Sequence, residues 1–503
     1  MTTRAKKELK GQVTIFSMLL FMVVLALLLA QFRSAVFYMR RASVERAARL
    51  SVESLLAGYN KPLKEYYQIL AVDGGFGQAG FQEEKLEEQL EQVFNANLLS
   101  SWEFSENHGT VEEPIFTPLI GGDWDFFLRE ICLNRKEAMV DVGTEFVVSK
   151  WREENTSAMG DLSQKKEAAQ AAVEAESSDE VEAPEDVEGQ EESDATGKVE
   201  DPRKFVEEIW NQGILVAACP ENYEISEKTC SMSDVSFPEA GRRIQDDIDF
   251  MDDENIQNLF KGWENTLEID SGIQSGINDL AAQMYMFEVF KDASLLKKDQ
   301  VEHDRVLDYE LEYILAGNES DRENLKTVLW KLLALRCVMN LAYLLGSPQK
   351  GVQVEETALI LSAALLIPQF VEVIAFLLKV SWAFAEGLAD CRTLLRGGKI
   401  PILKDDTSWY LTWEKMLQLN GQVLEGNKGD GGLDYAGYLT LFLTLTNRDT
   451  KYRRMTNLME KNIRLEEGYE NFRMEQCIYG VQAIFACELG MNVNYRAQAA
   501  TSY

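Results

Sequence analysis

The side chains in this sequence that could do chemistry are almost all carboxylates. The chain has 83 Asp and Glu residues but only two histidines, His108 and His303. Histidine metal sites, and catalysis with histidine as the base, therefore have few candidate residues. The densest carboxylates lie in residues 246–253, and they lack the glycine and the terminal glutamate of a calcium loop.

Sequence motifs of common enzyme classes are also missing. No P-loop, no G-x-S-x-G and no H-E-x-x-H motif occurs. The sequence therefore predicts no enzyme, no metal, no cofactor and no small-molecule substrate. One enzymatic alternative stays open, a cell-surface hydrolase with paired carboxylates, because such a pair can be drawn among so many acids.

Seven cysteines occur without a Cys-x-x-Cys motif. Cys219 and Cys230 bracket the polar, turn-rich stretch CPENYEISEKTC. In an oxidising exterior they could form a disulfide, and the alternative is two unpaired thiols.

The overall charge restricts the partners. The 50 Lys and Arg residues leave a net charge of −33. A surface this acidic repels phosphate, which argues against nucleic acid and against docking of the soluble part on anionic lipid.

The elements that position these residues begin with an uncharged apolar run in residues 13–32. It has the length that a helix needs to cross a bilayer, so the sequence predicts one membrane span. The run is longer than the apolar part of a signal peptide, and no small-x-small site follows it.

The preceding tail carries Arg4, Lys6, Lys7 and Lys10. These charges favour a cytoplasmic N-terminus in the cell membrane with the bulk of the chain extracytoplasmic, although Arg33, Arg40 and Arg41 make the other flank basic too.

Helical periodicity continues beyond the apolar run to about Ala57 without proline. The sequence predicts one helix of roughly 45 residues that leaves the membrane as a stem. This helix resembles the N-terminal helix of pilins and pseudopilins. Gly11 stands where prepilin-type peptidases cut, whereas Phe16 occupies the fifth mature position, where that pattern has glutamate. Gly11 is thus a candidate for processing, and a plain membrane-edge flank is the alternative.

Local patterns predict the elements that follow. Strands are expected at 67–72, within 101–135, at 213–220 (GILVAACP) and at 309–315 (YELEYIL), where Glu310 and Glu312 would share one face. Helices are expected at 81–99, 136–154, 203–211, 325–341 and 435–445, and a polar helix follows the last of these. Residues 163–202 hold fourteen acidic residues, three lysines and no aromatic residue, which predicts a disordered linker.

Further expectations concern the C-terminal half. Ser320 and Asp321 are expected to cap a helix. Residues 359–380 are expected to be buried core rather than a second span, since Pro368, Glu372 and Lys379 interrupt them. Glu386 and Asp390 are expected to pair with Arg392, Arg396 or a neighbouring helix end. The tail from residue 477 is expected to be β-prone or buried, and residues after 492 to fray.

Several segments taken together resemble a known family. GQVTIFSMLLF, then ERAARLSVESLLAGYNKPLKEYYQILAVDGGFG, and later GILVAACPENYEIS, WKLLALRCVMN and the stretch around TLLRGGKIP are similar to an uncharacterised family of membrane-anchored proteins of Gram-positive bacteria. Its genes lie beside Tad (tight-adherence) pilus-assembly genes, and its members are described as TadE- or TadG-like. The residues that carry the pattern, read as structural, are Asp73, Gly74, Glu310, Glu312, Tyr313, Asp321, Asn324, Arg336, Asn340, Trp382, Glu386, Asp390, Pro401 and Trp409.

The predicted fold class is α+β, predominantly helical, with a long transmembrane-plus-stem helix, an α+β ectodomain and an α-rich C-terminal domain. The predicted segments are a basic tail (1–12), a span (13–32), a stem (33–60), a membrane-proximal α+β domain (61–162), an acidic linker (163–202), an α+β segment (203–278) and a helical C-terminal domain (279–503). The resemblance implies a pseudopilin-like structural or assembly component of a Tad-type pilus or secretion system, with other pilus-assembly proteins as partners. The alternative is a membrane-tethered binding or adhesion module.

Overall fold

The computed structural model describes residues 3–78, 80–98, 109–121, 124–131, 213–220, 223–238, 277–294, 304–364, 368–417, 431–489 and 493–503, with backbone alone for residues 3–12, 277–281, 364 and 417. The helices expected at 136–154 and 203–211, the linker at 163–202, the acidic stretch 246–253 and both histidines lie outside these residues. The described chain forms two compact units, Met1–Glu130 with Glu466–Tyr503, and Ile131–Leu465. Most of it is helical, with one small antiparallel sheet, so the α+β class is confirmed.

One uninterrupted helix, α1 (Thr3–Ala57), opens the first unit. At 1.5 Å per residue its 55 residues extend roughly 80 Å. Its first part has a mean hydropathy of 2.9, and the most apolar stretch has no buried side chains. The predicted continuity of the apolar run and the stem is therefore confirmed.

The second half of α1 is part of a protein core. Its buried side chains recur at spacings of three and four residues, as one helix face requires, and are Val44, Ala47, Ala48, Val52, Leu55 and Leu56. We call this set the stem stripe. It packs in one cluster with side chains of α3 (Glu83–Asn97) and of the sheet. Helix α3 is amphipathic, as predicted, and buries Leu86, Leu90 and Phe94.

The sheet is built around β3 (Cys477–Glu488), whose expected β character is confirmed. Strands β2 (Thr110–Pro118) and β4 (Asn494–Ser502) pair antiparallel with it. The two-residue strand β1 (Val72–Asp73) also pairs with β3. Ile478 is registered with both Val72 and Pro118, so β1 and β2 lie on opposite edges of β3.

Two expectations for this unit are wrong. Residues after 492 do not fray, because β4 pairs with β3 from Glu488↔Asn494 to Gly480↔Ser502. Residues 466–503 lie in the same compact unit as the stem. The strand expected at 67–72 shrinks to β1, because Asn60 and Pro62 start a helix, α2 (Lys61–Tyr67), just before it.

The second unit is helical. Its described helices are α4 (Ile214–Ala218), α5 (Ile277–Val289), α6 (Glu310–Ala316), α7 (Asp321–Leu345), α8 (Pro348–Ala364), α9 (Val371–Leu395), α10 (Trp413–Leu417), α11 (Tyr435–Leu445) and α12 (Arg448–Ile463). The helices predicted at 325–341 and 435–445, and the polar helix after them, are confirmed as α7, α11 and α12. Helix α7 is long and apolar enough to cross a membrane, but 61% of its apolar window is buried inside the unit.

The strands predicted at 213–220 and 309–315 are wrong. The first segment forms α4 and the second forms α6, which ends at Gly317 with a φ of +80°. All residues from Glu310 to Leu315 are buried, so the alternation of polar and apolar residues does not mark a solvent-exposed face and a buried face.

The prediction that residues 359–380 are buried core is wrong in part. Leu359, Ile360 and Val373 are 58%, 55% and 50% exposed, whereas Ile374, Ala375 and Leu378 are buried. A 3₁₀ turn at Pro368–Phe370 lies between α8 and α9.

Candidate functional site

Four charged side chains meet inside the helical unit. They are Arg336 on α7, Glu386 and Asp390 on α9, and Lys404 after α9, and each is 6% exposed or less. We call them the buried charge quartet. The Arg336 Nε donates to Asp390 Oδ2 at 2.9 Å, and the Lys404 Nζ donates to Asp390 Oδ1 at 2.6 Å. Lys404 also donates to Glu386. The predicted partners of the two carboxylates, Arg392 and Arg396, are thus replaced by Arg336 and Lys404.

The remaining hydrogen-bonding capacity of the quartet is used by neighbouring groups. The Arg336 Nη1 donates to the carbonyl oxygens of Pro401 and Ile402, each at 2.9 Å. Glu386 accepts the backbone N–H groups of Tyr410 and Leu411 at 2.8 and 2.7 Å. Two positive and two negative charges therefore balance, and each is hydrogen-bonded, which is what makes buried charges tolerable.

Asn340 and two tryptophans complete this region. Asn340, one turn after Arg336 on α7, accepts from the Arg336 Nη2 and donates to Asp390, both at 3.2 Å. The indole N–H groups of Trp382 and Trp409 both donate to the carbonyl oxygen of Leu411, at 2.9 and 2.7 Å. The quartet is thus buried, and these hydrogen-bond partners lie on α7, on α9 and in the segment 401–411 that follows α9.

A lysine lies over the aromatic side of this region. The Lys350 Nζ is 4.1 Å from the ring centroid of Trp409 and 4.6 Å from that of Tyr343, and Trp382 is 5.6 Å away. Burial lowers the pKa of Lys350 to about 8, although Asp406 and Glu386 oppose that effect. Cation–π attraction holds this ammonium in place while it remains charged.

A second group of buried carboxylates surrounds α6. Glu310 accepts from the Lys291 backbone N–H at 3.0 Å and from Asn462 at 2.7 Å, and it pairs with Arg305 at 3.3 Å. Glu312 accepts from the Ala293 N–H at 2.9 Å and from Tyr435 at 2.7 Å.

The environment of α6 favours the neutral carboxyl forms. Burial, reinforced by the carboxylate of Asp292, raises the pKa of Glu312 to about 8. Burial also raises the pKa of Glu310, against the opposing charge of Arg305. A raised carboxyl pKa in a cleft would point to acid catalysis, but these carboxyls are fully buried and have no access to a substrate.

Asp321 does not cap α7 in the predicted way. Its carboxylate accepts from Ser226 at 2.7 Å and from the backbone N–H groups of Asp308 and Tyr309 at 2.8 and 3.1 Å. It therefore ties the segment before α6 to the start of α7. Asn324 exchanges two hydrogen bonds with the backbone of Asn318, and Tyr313 is fully buried.

The cysteine pair and Gly11 offer no site chemistry. Cys219 and Cys230 are both free thiols, so the disulfide that their spacing allowed is not formed. Burial raises the pKa of Cys219 to about 12, which keeps the thiol protonated and unreactive. Gly11 lies inside α1, and its role in processing stays a prediction.

The remaining pattern residues, Asp73 and Gly74, lie in the first unit, and Asp73 lines a cavity of about 660 Å³. The cavity is formed by the end of α1, the turn after β1, one face of α3, and Gly468 with Tyr469. We call it the stem cavity. Asp73 fixes the turn by accepting the N–H groups of Gly75 and Gly77 at 2.9 and 3.0 Å.

Sequence reasoning missed most of the partners that complete these groups. Tyr435 and Asn462 lie 123 and 152 residues from Glu312 and Glu310, and Tyr438 lies 102 residues from Arg336. Arg305 is only five residues from Glu310, but no local motif marks it. Lys350 and Tyr469 are missed for the same reason. A charge in an otherwise apolar helix, as with Arg336 in α7, is the one local signal that points to a buried partner.

Comparison with known proteins gives one match. A profile described as a family of unknown function (DUF5702) matches residues 192–489, more than half of the 503-residue chain. The matched range contains the whole quartet and the carboxylates of α6. No curated protein matches the chain, and no solved structure matches it.

Breaking the quartet should destabilise the helical unit strongly. We expect Arg336→Met to lower the free energy of unfolding by about 3–5 kcal/mol, because Asp390 loses a buried partner. The exposed pair of Arg322 and Glu227 supplies the control, since Arg322→Met should cost less than about 1 kcal/mol. Urea unfolding followed by tryptophan fluorescence measures both, and equal effects would contradict a structural role for the quartet.

Protonation of Glu312 should make stability fall as the pH rises. In the unfolded chain Glu312 ionises near 4.5, whereas the folded chain keeps its proton to about pH 8. The contribution of Glu312 to the free energy of unfolding is therefore complete below the pKa of the unfolded chain. It is lost as the pH rises through the pKa of the folded chain, and the free energy of unfolding falls by at most about 1.4 kcal/mol per pH unit. Unfolding of Glu312→Gln should show a shallower slope than the wild type over this range. Glu323→Gln, at an exposed position, should keep the wild-type slope, and a wild-type slope in Glu312→Gln would refute the assignment.

Proposed function

The chain belongs to the DUF5702 family of unknown function, and from its architecture we propose that it is a single-pass, membrane-anchored structural or assembly component of the pseudopilin-like kind. In this proposal α1 associates with similar helices in the membrane, and the two units lie outside the cell membrane and contact other components of a Tad-type pilus or secretion system. The N-terminal tail lies in the cytoplasm.

The division of α1 into two halves carries the proposal. The apolar half is exposed along its length, with Leu25, Leu28 and Leu29 at 44%, 57% and 55% exposure. Such a surface is unstable in water but suits lipid or other apolar helices. The other half supplies the stem stripe to the core of the first unit. A rigid connection between a membrane helix and a folded unit is what an assembly component needs.

Retention of the apolar half has its own support. A signal sequence also begins with an apolar helix, but here the helix continues to Ala57 without interruption. No small-x-small cleavage site follows the apolar run, and processing at Gly11 would leave the span in place.

The chemistry of the helical unit favours a structural role over catalysis. Its carboxylates at Glu386 and Asp390 are neutralised by buried cations, and those of α6 are fully buried. The resemblance of the stem to pilin helices, and of several segments to TadE- and TadG-like proteins, supports the pilus-assembly part of the proposal.

A binding module is a second candidate, because the first unit contains the stem cavity. Its volume of about 660 Å³ falls in the range of small-ligand sites, about 300–1,000 Å³. Assembly and ligand binding are compatible functions, since the cavity is lined by the end of α1 and not by the apolar half that is proposed to lie in the membrane.

Orientation can be tested with cysteine variants in whole cells. We expect Gln78→Cys, at an exposed position of the first unit, to react with a membrane-impermeant thiol reagent in intact cells. Thr2→Cys, in the tail, should react only after lysis, because the basic tail remains inside. The reverse pattern of labelling would overturn the proposed orientation.

Association through the apolar half can be tested by changing one helix face. At 3.6 residues per turn, Leu25, Leu28 and Leu29 lie about 140° around α1 from the centre of the stem stripe, on the side away from the first unit's core. We expect their joint change to serine to reduce cross-linked complexes at least about fivefold, because packing between apolar helices depends on close contact.

A matched serine triple separates association from insertion. Leu20, Val23 and Leu27 lie about 60° from the centre of the stem stripe, and their change removes a similar amount of apolar surface. Both triples should remain in the membrane fraction, and the second should retain its complexes. Unchanged cross-linking in the first triple would refute association through this face.

A further inference from the structure

The stem cavity has walls of an unusual composition for a purely structural gap. Its polar side chains include two phenol hydroxyls, three amides and one carboxylate, from Tyr59, Tyr469, Asn60, Gln89, Gln92 and Asp73. Phe76 adds a third aromatic ring. Among the described residues that line it there is no lysine, arginine or histidine.

The walls are fixed before any ligand arrives. Both oxygens of Asp73 accept backbone N–H groups of its own turn, in which Phe76 and Gly77 have φ values of +51° and +71°. A side chain at Gly77 would place its Cβ 2.9 Å from the carbonyl oxygen of Gly468. The turn after β1 and the segment that carries Tyr469 are therefore in direct contact at Gly77 and Gly468. This contact fixes the position of Asp73 and Phe76 relative to Tyr469.

One wall residue has unused hydrogen-bonding capacity. Asn60 is 4% exposed, and its Oδ1 accepts the N–H of Leu63 at 2.9 Å to cap α2. Its Nδ2 has no hydrogen-bond partner among the described residues. A buried amide donor without a partner is unfavourable, so a group that accepts from it would be bound more tightly.

The carboxylate in the wall and the acidic start of α3 disfavour anionic ligands, although Lys64 and Lys85 lie over the rings of Tyr59 and Phe76. Gly75, Gly77 and Gly80 follow β1 with the G-x-G-x-x-G spacing of phosphate-binding turns, and α3 follows them. Here, however, the sheet is antiparallel and α3 begins with Glu83 and Glu84, so the helix end that would attract phosphate carries negative charge. Asp73 in the wall repels anions in the same way.

We propose that the stem cavity binds a neutral saccharide of a few sugar rings. Sugar hydroxyls can donate to the carboxylate and amide oxygens of the wall and accept from amide and phenol donors. The C–H faces of sugar rings are apolar and pack against aromatic rings such as those of Tyr469 and Phe76. This goes beyond the proposed assembly role, since it gives the first unit a ligand outside the membrane.

Binding is tested with the full chain in a detergent without a sugar head group. The probes are two neutral oligosaccharides, the β1,4-linked tetramer of N-acetylglucosamine and maltotetraose, together with the anionic trimer of galacturonic acid and tetra-alanine. By calorimetry or saturation-transfer NMR, we expect a neutral probe to bind with a Kd below about 1 mM and the anionic probe to bind at least tenfold more weakly.

Two variants change the wall in different ways. Tyr469→Ala removes an aromatic surface. Asn60→Asp keeps the Oδ1 that caps α2 and removes the amide donor. Each should weaken binding at least about tenfold without loss of helical circular dichroism. Two controls make the same changes outside the cavity, at Tyr410 and at the helix cap Asn447, and should bind as the wild type does.

Each outcome decides the proposal. It is overturned if neither neutral oligosaccharide binds at about 10 mM, if tetra-alanine or the anionic trimer binds more tightly, or if both wall variants bind like the wild type. Cross-linking of the same wall variants in cells should remain normal. Normal assembly with lost saccharide binding therefore separates this proposal from the assembly role.

Discussion

Burial of the stem stripe against the sheet is the interaction that joins the two ends of this chain. Val44, Ala47, Ala48 and Val52 bring the helix close to β3 and β4, since alanine leaves little space between a helix and a sheet. Tyr495 on β4 reinforces the contact by donating to Glu45, 450 residues earlier. The whole helical unit, Ile131–Leu465, is in topological terms an insertion between β2 and β3. The helix α1, the sheet and the stem cavity of the first unit all depend on this packing of the stem stripe against the sheet.

Buried charge organises the second unit in a different way. A well-packed apolar core of similar volume would be as stable as the quartet or more so, because removing four charges from water is expensive. What the quartet adds is geometry. Arg336 contacts Asp390 together with the carbonyl oxygens of Pro401 and Ile402, which fixes the chain after α9 against α7. Glu386 fixes the backbone at Tyr410 and Leu411 in the same manner. Hydrogen bonds with defined directions therefore select one arrangement among helices whose surfaces are mostly apolar.

The sequence predicts what depends on local periodicity and misses what depends on distant partners. The continuous α1, the amphipathic α3 and the apolar α7 follow from spacings within each segment. The segments 214–218 and 310–316 defeat the same reasoning. Burial of every residue from Glu310 to Leu315 removes the contrast between faces in the second, and the first is a short apolar run that fits either type of element. Glu386 and Asp390 are recognisable as paired carboxylates, but Arg336 lies 54 residues from Asp390, and no local rule selects it. The stem cavity could be anticipated only in part, since Asn60 and Asp73 lie near the stem while Tyr469 comes from the far end of the chain.

The position of β3 in the sequence also determines when the first unit can form during synthesis. Ribosomes add about 5–20 residues per second, and more than four hundred residues separate Ala57 from Cys477. The strand β3 is therefore synthesised roughly 20–80 s after the stem. In that interval the stem stripe and Phe94 on α3 remain without the strands that cover them. A nascent chain of this kind needs a holding chaperone or early folding of the inserted helical unit to avoid aggregation. Chains released before β3 is made would expose the same apolar surface, because the strands that cover the stem stripe would be missing.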